Sequence, residues 1–292
     1  MSTRMPMDTK SGIIPWLYVG PGLIVLVFFL LYPTVDTLYL SFYDTYSEHF
    51  VGVRNYVYAF TSETMITAFR NNAIWVICFT ALTITLGLIL AVLLDRIAYE
   101  AVVKAILFLP MAVSMVGAAV IWKFIYAYRP PGFEQIGLLN AVVTRLGFQP
   151  AGWLIQRPWN NLFIILVAVW VWTGFCTVVC SAAYKNIPKH YLDAARIDGA
   201  SEWQIFWRII LPLMRPTLAV LATTMSVFVL KVFDFVYVLT NGNFGTEVIA
   251  NRMYKLFQYP DFGKASAVAV VLLMLVFPVM IINIRRFRRQ SG

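Results

Sequence analysis

The stretch from Lys185 to Pro212 decides how the rest of this sequence is interpreted, and it reads KNIPKHYLDAARIDGASEWQIFWRIILP. It separates two long apolar runs, yet it carries the signals of helices rather than those of an irregular loop. Pro188 can begin a helix because a first-turn residue does not need its N–H, and Gly199 is suited to end one. The predicted packing face of this first helix comprises Tyr191, Leu192, Ala194 and Ala195.

A second helix is predicted directly after Gly199. Ser201, followed three residues later by Gln204, forms a capping-box pattern, and Pro212 is expected to close the helix. Its apolar side carries Ile205, Phe206, Ile209 and Ile210. Two interpretations of this helix pair are open: it enters a groove on a partner protein, or it lies on the membrane surface as an amphipathic hairpin.

The composition of the whole chain is that of a membrane protein. Of its 292 residues, 60% are hydrophobic and 13% are charged, and the mean hydropathy is +0.74. Soluble domains contain about 45–50% apolar and about 25% charged residues, so a soluble enzyme, a nucleic-acid-binding module and a disordered chain are excluded. The net charge of +9 is compatible with the basic cytoplasmic loops of membrane proteins.

Six stretches are long and apolar enough to cross a bilayer, which requires roughly 20 residues. They run approximately from Ile13 to Tyr32, Ala73 to Leu94, Ala105 to Tyr126, Leu162 to Ala183, Thr217 to Leu239 and Ala265 to Ile284. The predicted fold class is therefore an all-α integral membrane protein with six transmembrane helices. A cytoplasmic helix pair lies between spans four and five.

Basic residues orient these spans. If both termini are cytoplasmic, 13 Lys and Arg residues lie inside and 8 lie outside, in longer loops, as the positive-inside rule requires. The predicted organisation is a cytoplasmic N-terminal segment (1–12), a transmembrane domain (13–284) with a cytoplasmic loop at 185–216, and a basic cytoplasmic tail (285–292).

Residues suited to metal binding or catalysis are scarce. The three cysteines lie inside apolar runs, at Cys78, Cys176 and Cys180, and we interpret them as small residues that pack between helices. His49 and His190 have no second ligand at a metal-binding spacing. No nucleophile, base and orienting group are placed as catalysis requires, so we expect no enzyme activity, metal or cofactor in this chain.

The spacing of the central loop is specific. Asp193-Ala194-Ala195 is followed after three residues by Gly199, and after nine more by Ile209-Ile210-Leu211-Pro212. This pattern resembles the signature loop of permease subunits in binding-protein-dependent ABC importers, which is written Glu-Ala-Ala, three residues, Gly, nine residues, Ile-x-Leu-Pro. Only Asp193 departs from it, and it retains a carboxylate. The resemblance implies that the loop docks into a cleft of an ATPase subunit through Asp193, Ala194, Ala195, Asp198, Gly199, Ile209, Leu211 and Pro212.

The same resemblance implies further partners and a mechanism. The chain would form half of a translocation path with a second permease, usually a different chain, together with an ABC ATPase dimer and an extracytoplasmic solute-binding protein. The sequence contains no Gly-x-x-x-x-Gly-Lys-Ser/Thr phosphate loop, so ATP and Mg²⁺ are expected in the partner ATPase. The implied mechanism is alternating access in a bacterial or archaeal cytoplasmic membrane.

Motifs outside the loop resemble the branch of this family that carries di- and oligosaccharides. They are Leu31-Tyr32-Pro33 with Ser41-Phe42, Val51-Gly52-Val53-Arg54-Asn55-Tyr56, Phe108-Leu109-Pro110 with Ser114 and Trp122-Lys123, and the stretch from Phe233 to Thr240. Asn251-Arg252-Met253-Tyr254 is most similar to permeases for α-glucosides and related glucosyl solutes. Asn241-Gly242-Asn243 stands where the branch usually has Gly-Gly-Pro, so the individual solute stays open.

Ionisable residues inside a span are costly and therefore indicate function. On a continuous fifth helix, Thr224, Lys231 and Asp234 would fall within roughly 80° of one another. This polar stripe is a candidate lining of the translocation path, because hydroxyl-rich solutes need hydrogen-bond partners. Tyr237 is an aromatic candidate for the same path, since its ring could stack on a sugar. The alternative is that Lys231 and Asp234 form an ion pair that serves packing alone.

Two other classes of membrane protein compete with the importer permease. An ion-coupled secondary transporter would explain six spans and an intramembrane Lys and Asp, but it does not explain the loop, and no inverted repeat is evident. A membrane enzyme acting on lipid-linked sugars would need clustered carboxylates or histidines, and the 14 acidic residues are scattered.

Overall fold

The computed structural model describes residues 14–95 and 97–290, in which helices are joined by turns and irregular loops. In chain order the α-helices are α1 (Ile14–Leu26), α2 (Tyr32–Leu40), α3 (Arg54–Thr61), α4 (Glu63–Leu94), α5 (Glu100–Phe108), α6 (Met115–Ile125), α7 (Leu138–Arg145), α8 (Asn160–Lys185), α9 (Lys189–Ile197), α10 (Glu202–Ile205), α11 (Leu211–Leu230), α12 (Asp234–Leu239), α13 (Ile249–Gln258) and α14 (Phe262–Gln290). Apart from an isolated bridge between Tyr43 and Phe50, these ranges contain no β-structure. The predicted all-α class is confirmed.

Several stretches match the predicted spans. Among the described residues, five are long and apolar enough to cross a membrane, namely Trp16–Leu40, Glu63–Leu94, Asn160–Lys185, Glu202–Leu230 and Phe262–Ile281. A bent pair, Glu100–Ala112 with Met115–Ile125, makes a sixth when it is counted as one span. The predicted N-terminal segment 1–12 lies outside the described residues. Of the predicted tail 285–292, the backbone up to Gln290 continues α14, whereas its side chains lie outside the described part.

Some span boundaries differ from the prediction. The first helical stretch continues to Leu40 instead of ending near Tyr32, and the second begins at Glu63 rather than near Ala73. Ser62 explains the early start of α4, because its side chain caps the helix by accepting a hydrogen bond from the N–H of Met65 at 3.4 Å.

The third span is not straight. Its two helices meet at an angle of 97°, after a 3-10 turn at Leu109–Ala112. Val113 is extended, and Ser114 begins α6 by accepting a hydrogen bond from the N–H of Gly117 at 3.0 Å. The prediction of a single continuous helix over this span is therefore wrong.

The fifth span, predicted from Thr217 to Leu239, is also broken. α11 ends at Leu230, and α12 begins only at Asp234. The side-chain amide of Asn72 on α4 donates to the carbonyl of Leu230 at 3.1 Å. In a continuous helix this carbonyl would accept from the N–H of Asp234. A side chain from another span thus takes the place of a backbone hydrogen bond, which the sequence of span five alone does not reveal.

Pro212 does not close the second helix of the central loop, contrary to the prediction. One helical stretch runs from Glu202 to Leu230, and Pro212 lies in the first turn of α11, directly after a π-helical turn at Phe206–Ile210. Such a turn shifts the hydrogen-bond ladder where the proline has no N–H to give. Pro33 follows the π-helical turn Val27–Leu31 in the same way.

The centre of the bundle is the contact between α4 and α8. Trp75 and Phe79 of α4 are completely buried, as are Cys176 and Cys180 of α8. A Cβ atom added at Gly87 would lie only 2.6 Å from the Cβ of Cys176, so the two helices approach each other through small residues. The two buried cysteines are free thiols, in agreement with the packing role predicted for them.

Candidate functional site

α9 rests on the bundle through a narrow face. Leu192 is 8% exposed, and Ala195 is half-buried. Tyr191 and Ala194 were predicted to pack on the same side, but both are exposed. They project outward because residues three apart share a helical face, so Tyr191 and Ala194 lie together while Leu192 and Ala195 lie together.

The outward side of α9 and its C-terminal turn form a continuous exposed surface, which we call the docking surface. It consists of Tyr191, Asp193, Ala194, Ile197, Asp198 and Gly199, all exposed. Ile197 is 86% exposed, which is unusual for an isoleucine next to a well-packed bundle. Asp193, Ala194 and Gly199 of the family pattern are therefore presented to the surroundings, whereas Ala195 packs on the bundle.

Gly199 ends α9 in a left-handed conformation. Its φ is +79°, and a Cβ atom added here would meet nothing within 4 Å. The N–H of Ala200 bonds to the carbonyl of Ala195 at 2.9 Å, and the N–H of Gly199 bonds to that of Arg196 at 3.1 Å, which is a Schellman cap. Backbone conformation requires glycine here, and the space in front of it is open.

Arg196 joins the two helices of the loop. Its guanidinium donates to Asp193 at 3.2 Å and to Glu202 at 2.9 Å. The hydrogen bond to Glu202, and then the charges of Glu202 and Asp193, raise the pKa of Arg196 above its ordinary value. The orientation of the Asp193 carboxylate on the docking surface is thus tied to α10.

The second half of the family pattern is structural. The predicted capping box is confirmed, because the N–H of Ser201 donates to the side chain of Gln204 at 2.9 Å and the N–H of Gln204 donates back at 3.3 Å. Ile210 is 4% exposed, and the neighbouring pattern residues Ile209, Leu211 and Pro212 are half-buried. These residues hold the loop to the base of α11 rather than contributing to the docking surface.

A cavity lies between the helix pair and the C-terminal end of α4. Its volume is about 480 Å³, and its apolar walls include Leu88 and Val92 of α4 and Trp203 and Phe206 of the loop. The cavity opens to the surface, because Trp203 in its wall is 70% exposed. Space behind α9 and α10 therefore leaves room for the helix pair to shift.

A polar cluster, which we call the ion clasp, fixes the end of α8 just before the loop. Lys185 donates to Glu100 of α5 at 2.6 Å, and Lys104 binds the other carboxylate oxygen. Ser181 donates to that oxygen at 3.2 Å. The ion clasp ties the start of span three to the residue at which the loop begins.

The candidates for the translocation path do not form one stripe, because the helix is broken between them. Lys231 is exposed and Asp234 is half-buried, and within the described residues no ion pair joins the two. Thr224 donates to the Val220 carbonyl of its own helix at 3.0 Å. The ring of Tyr237 lies 5.0 Å from that of Phe233 and 5.3 Å from that of Tyr254, so an aromatic group adjoins the break.

The opposite end of the bundle carries a buried network that the sequence reasoning missed, which we call the amide network. Asn71 donates to the carbonyls of Gly245 and Glu247, both at 2.8 Å, and accepts from Asn161 at 2.8 Å. Asn72 accepts from the N–H of Ile249 at 2.9 Å. The adjacent pairs Asn71-Asn72 and Asn160-Asn161, at the same end of spans two and four, were the available signal.

The described residues contain no group of three or more His, Cys, Asp or Glu placed to hold a metal ion. The described residues instead provide an exposed helical surface, a cavity behind it and a buried hydrogen-bond network at the opposite end. Such parts can bind a partner and transmit its movement, but they supply no bond-making group.

Comparison with known proteins gives a consistent picture. Residues 83–289 match the protein family described as "Binding-protein-dependent transport system inner membrane component". The chain is 58% identical over 276 residues to the osmoprotective compounds uptake permease protein GgtC of Synechocystis sp., covering 94% of this chain and 99% of that protein. It is 45% identical over 284 residues to the alpha-glucoside transport system permease protein AglF of Rhizobium meliloti, covering 97% and 84%.

Solved structures share the fold. One chain of a bacterial alginate ABC transporter, crystallised in complex with an alginate pentasaccharide-bound periplasmic protein, superposes with a TM-score of 0.82 at 24% identity, covering 99% of both chains. A chain of a bacterial ABC transporter involved in the import of the acidic polysaccharide alginate superposes with a TM-score of 0.79 at 26% identity, covering 95% of this chain and 97% of that one.

Proposed function

This chain belongs to the family of binding-protein-dependent transport system inner membrane components, and from that membership we propose that it forms half of the translocation path for a sugar or glucosyl solute. It is a membrane permease subunit of an ABC importer, a transport component and not an enzyme. The family and these relatives give no support to an ion-coupled secondary transporter. The observation that carries the proposal is the docking surface, which presents Asp193, Ala194 and Gly199 of the family pattern outward.

The docking surface is assigned to an ATPase subunit. Apolar Ala194 and Ile197 stand beside the carboxylates Asp193 and Asp198, a mixture that suits a groove on another protein. A hairpin lying on the membrane would turn its apolar side to lipid, whereas here that side packs on the bundle through Leu192. ATP and Mg²⁺ are assigned to the partner ATPase, and none to this chain.

The solute class rests on the relatives, one of which is named for alpha-glucoside transport and another for osmoprotective compounds. We assign an α-glucoside or another di- or oligosaccharide. The break in span five offers suitable groups, since Tyr237 lies in an aromatic group beside the charged Lys231 and Asp234. Aromatic faces stack on sugar rings. The ammonium of Lys231 donates hydrogen bonds to hydroxyls, and the carboxylate of Asp234 accepts hydrogen bonds from them. Thr224, which lies on α11 before the break, is assigned to the same path.

The remaining partners follow from the same assignment. A second permease, most simply a different chain, supplies the other half of the path, and an ABC ATPase dimer and an extracytoplasmic solute-binding protein complete the importer. The exposure of the first helical stretch supports a second permease. None of the residues in the most apolar part of Trp16–Leu40 is buried, against 56% of those in the corresponding part of Asn160–Lys185. The protein has several membrane-crossing helices, and we place it in a bacterial or archaeal cytoplasmic membrane.

The decisive experiment is purification of the tagged chain from its native membrane, with identification of its companions by mass spectrometry. The wild type should bring an ATPase subunit and a second permease, and the complex should hydrolyse ATP faster with solute-loaded binding protein. Gly199→Val places a branched side chain on the docking surface at a φ of +79°. We expect uptake to fall by at least about tenfold, since loss of about 1.4 kcal/mol of coupling is a factor of ten.

Gly147→Val is the matched control. Gly147 also has a positive φ, +84°, and open space around it, but it follows α7 at the other end of the bundle. Both variants carry the same left-handed strain. Uptake should therefore survive in Gly147→Val. Equal loss in both variants would attribute the effect to strain, and a chain that purifies alone and stable would contradict the importer assignment.

A further inference from the structure

A cleft between the outer ends of α4 and α8 combines an apolar wall with two arginines. Its volume is about 590 Å³. Ile74 and Cys78 of α4 and Ile165 of α8 line its lower part, and Arg70 and Arg157 line its upper part. The cleft belongs neither to the docking surface nor to the break in span five, and the proposed transport function makes no use of it.

The level of the cleft in the membrane follows from helix length. α4 has 32 residues, about 48 Å at 1.5 Å per residue, which exceeds a hydrocarbon core of about 30 Å. Its first turns therefore stand outside the hydrocarbon. Arg70 lies one turn before the apolar run that begins near Ala73, whereas Ile74 and Cys78 lie within that run.

The α8 side of the cleft is at the same level. Arg157 precedes the apolar run that begins near Leu162, and Trp159 between them is 60% exposed, as expected of a residue in the interfacial aromatic belt. Both guanidiniums thus lie at the height of the lipid headgroups, and the apolar wall lies at the height of the acyl chains.

The positive charge of the cleft is not neutralised from within the protein. Across the described residues, no carboxylate pairs with Arg70 or Arg157, and the side chain of Arg70 makes no hydrogen bond. Two carboxylates, Glu63 and Glu247, line an adjoining polar cavity. Glu247 is already paired with Lys255 at 2.9 Å, and Glu63 forms no ion pair with either arginine within the described residues.

The structure also holds one of the two guanidiniums in place. The Nε of Arg157 donates to the Phe244 carbonyl at 2.7 Å, and its Cζ packs on Gly245, where an added Cβ would come within 2.9 Å. Gly245 has a φ of +77°, so glycine is required there on two counts. The terminal nitrogens of Arg157 have no acceptor within the described part of the chain, and they are available to a ligand.

We propose that this cleft binds one anionic phospholipid, with the phosphodiester between Arg70 and Arg157 and an acyl chain along Ile74, Cys78 and the half-buried Leu162. Arginine pairs strongly with phosphate oxygens because its fork of N–H donors matches them. A water-soluble partner could reach the two arginines, but it would not follow the cleft into the hydrocarbon. Only an amphipathic ligand with a negative headgroup satisfies both ends. The bound lipid fills the gap between α4 and α8 beside the amide network.

The proposal is tested on the purified importer complex by native mass spectrometry after delipidation. Dioleoylphosphatidylglycerol is titrated against dioleoylphosphatidylcholine. The wild type should bind one phosphatidylglycerol at this site with a preference of about tenfold or more, as expected for charge-assisted hydrogen bonds. Arg70→Gln should lose most of this preference, and Arg70→Lys should restore part of it. Excess inorganic phosphate should not displace the lipid, since the acyl chain contributes to binding.

Arg145→Gln is the matched control, because Arg145 is exposed on α7 at the same end of the protein but outside the cleft. It should bind phosphatidylglycerol like the wild type. Equal binding of the two lipids by the wild type, or equal loss of preference in Arg70→Gln and Arg145→Gln, would overturn the proposal.

A second measurement uses Cys78, a half-buried free thiol in the cleft wall. Added phosphatidylglycerol should slow its labelling by N-ethylmaleimide in the wild type but not in Arg70→Gln, as followed by peptide mass spectrometry. If Cys78 is already shielded in the delipidated complex and lipid changes nothing, a neighbouring subunit covers the cleft and the lipid assignment is wrong.

Discussion

The two ends of the helix bundle are held together in different ways; we call the end with the docking surface the inner end and the end with the amide network the outer end. At the outer end, the amide network is buried: Asn71, Asn72, Asn160 and Asn161 are each no more than 7% exposed, and their bonds join α4, α8 and the segment after α12. At the inner end, the ion pairs of the docking loop are on the surface, with side-chain exposures of 46% for Arg196, 62% for Asp193 and 52% for Glu202.

This difference indicates which end can move. Breaking a buried hydrogen bond leaves a desolvated partner at a cost of about 1–3 kcal/mol, whereas an exposed ion pair contributes about 0–1 kcal/mol. The outer end therefore fixes spans two, four and five relative to one another. The inner helix pair, with a cavity behind it, is the part that a bound partner can displace. Substitutions at the outer end should therefore lower Tm more than substitutions at the inner end.

Asn72→Ala should be the most destabilising. It leaves the Leu230 carbonyl and the Ile249 N–H without the partners that Asn72 provides, with an expected cost of roughly 2–4 kcal/mol. The measurement is the Tm of the purified complex. Asn186→Ala, at an exposed inner position, should leave Tm nearly unchanged, and similar Tm values for the two variants would remove the contrast between the ends.

Glu100→Gln tests the ion clasp, a partly buried polar cluster at the inner end. Lys104 and Lys185 would lose their common counter-charge, so Tm should fall, though less than in Asn72→Ala, because the side chain of Lys185 is 50% exposed. Glu134→Gln, in the exposed outer loop, is the control. A larger fall in Tm than that caused by Asn72→Ala would show that the inner end, and not the outer end, is the more rigid one.

Asp234→Ala separates transport from packing at the break in span five. A half-buried carboxylate without an ion pair among the described residues should contribute less than about 0.5 kcal/mol, so assembly and Tm should be retained. Uptake should fall by about tenfold if the carboxylate binds solute hydroxyls in the path. Asp234→Asn should keep part of the uptake. Loss of the assembled complex would instead favour a packing role.

Arg196→Ala should have the smallest effect on stability, since both of its ion pairs are exposed. Tm should not change measurably, but solute-stimulated ATP hydrolysis should fall because Asp193 is no longer held to α10. Arg196→Lys should restore only part of the stimulation, as an ammonium does not reproduce the guanidinium fork. A clear drop in Tm would show that the docking loop is not held by surface contacts alone.

Features with local causes could be predicted from the sequence. Ser201 and Gln204 form their capping box within one turn. Gly199 ends α9 because the cap needs a left-handed backbone conformation, which glycine adopts without strain. The spans were recognisable for a similar reason, since a run of apolar residues acts through its length. These signals were least successful in predicting which side of α9 packs on the bundle. Apolar periodicity assigned Tyr191 and Ala194 to the packed side, but both are exposed on the docking surface.

The breaks in the spans could not be predicted in this way. The Leu230 carbonyl is satisfied by Asn72, which lies 158 residues away in the sequence, and span five therefore ends early. The cleft of Arg70 and Arg157 likewise combines residues from two separate segments. Polar stripes deduced from an unbroken helix, such as Thr224 with Lys231 and Asp234, are misplaced when another span interrupts that helix.

The all-helical class, the apolar runs and the capped helix pair follow from the amino-acid order, because hydrophobic length and helix caps act within one segment. The breaks in spans three and five, the exposure of the docking surface and the unpaired charges depend on contacts between distant segments. A buried donor or acceptor must form a hydrogen bond, but its partner need not be near it in the sequence. In this protein the partner can lie on another span, as Asn72 does for the Leu230 carbonyl.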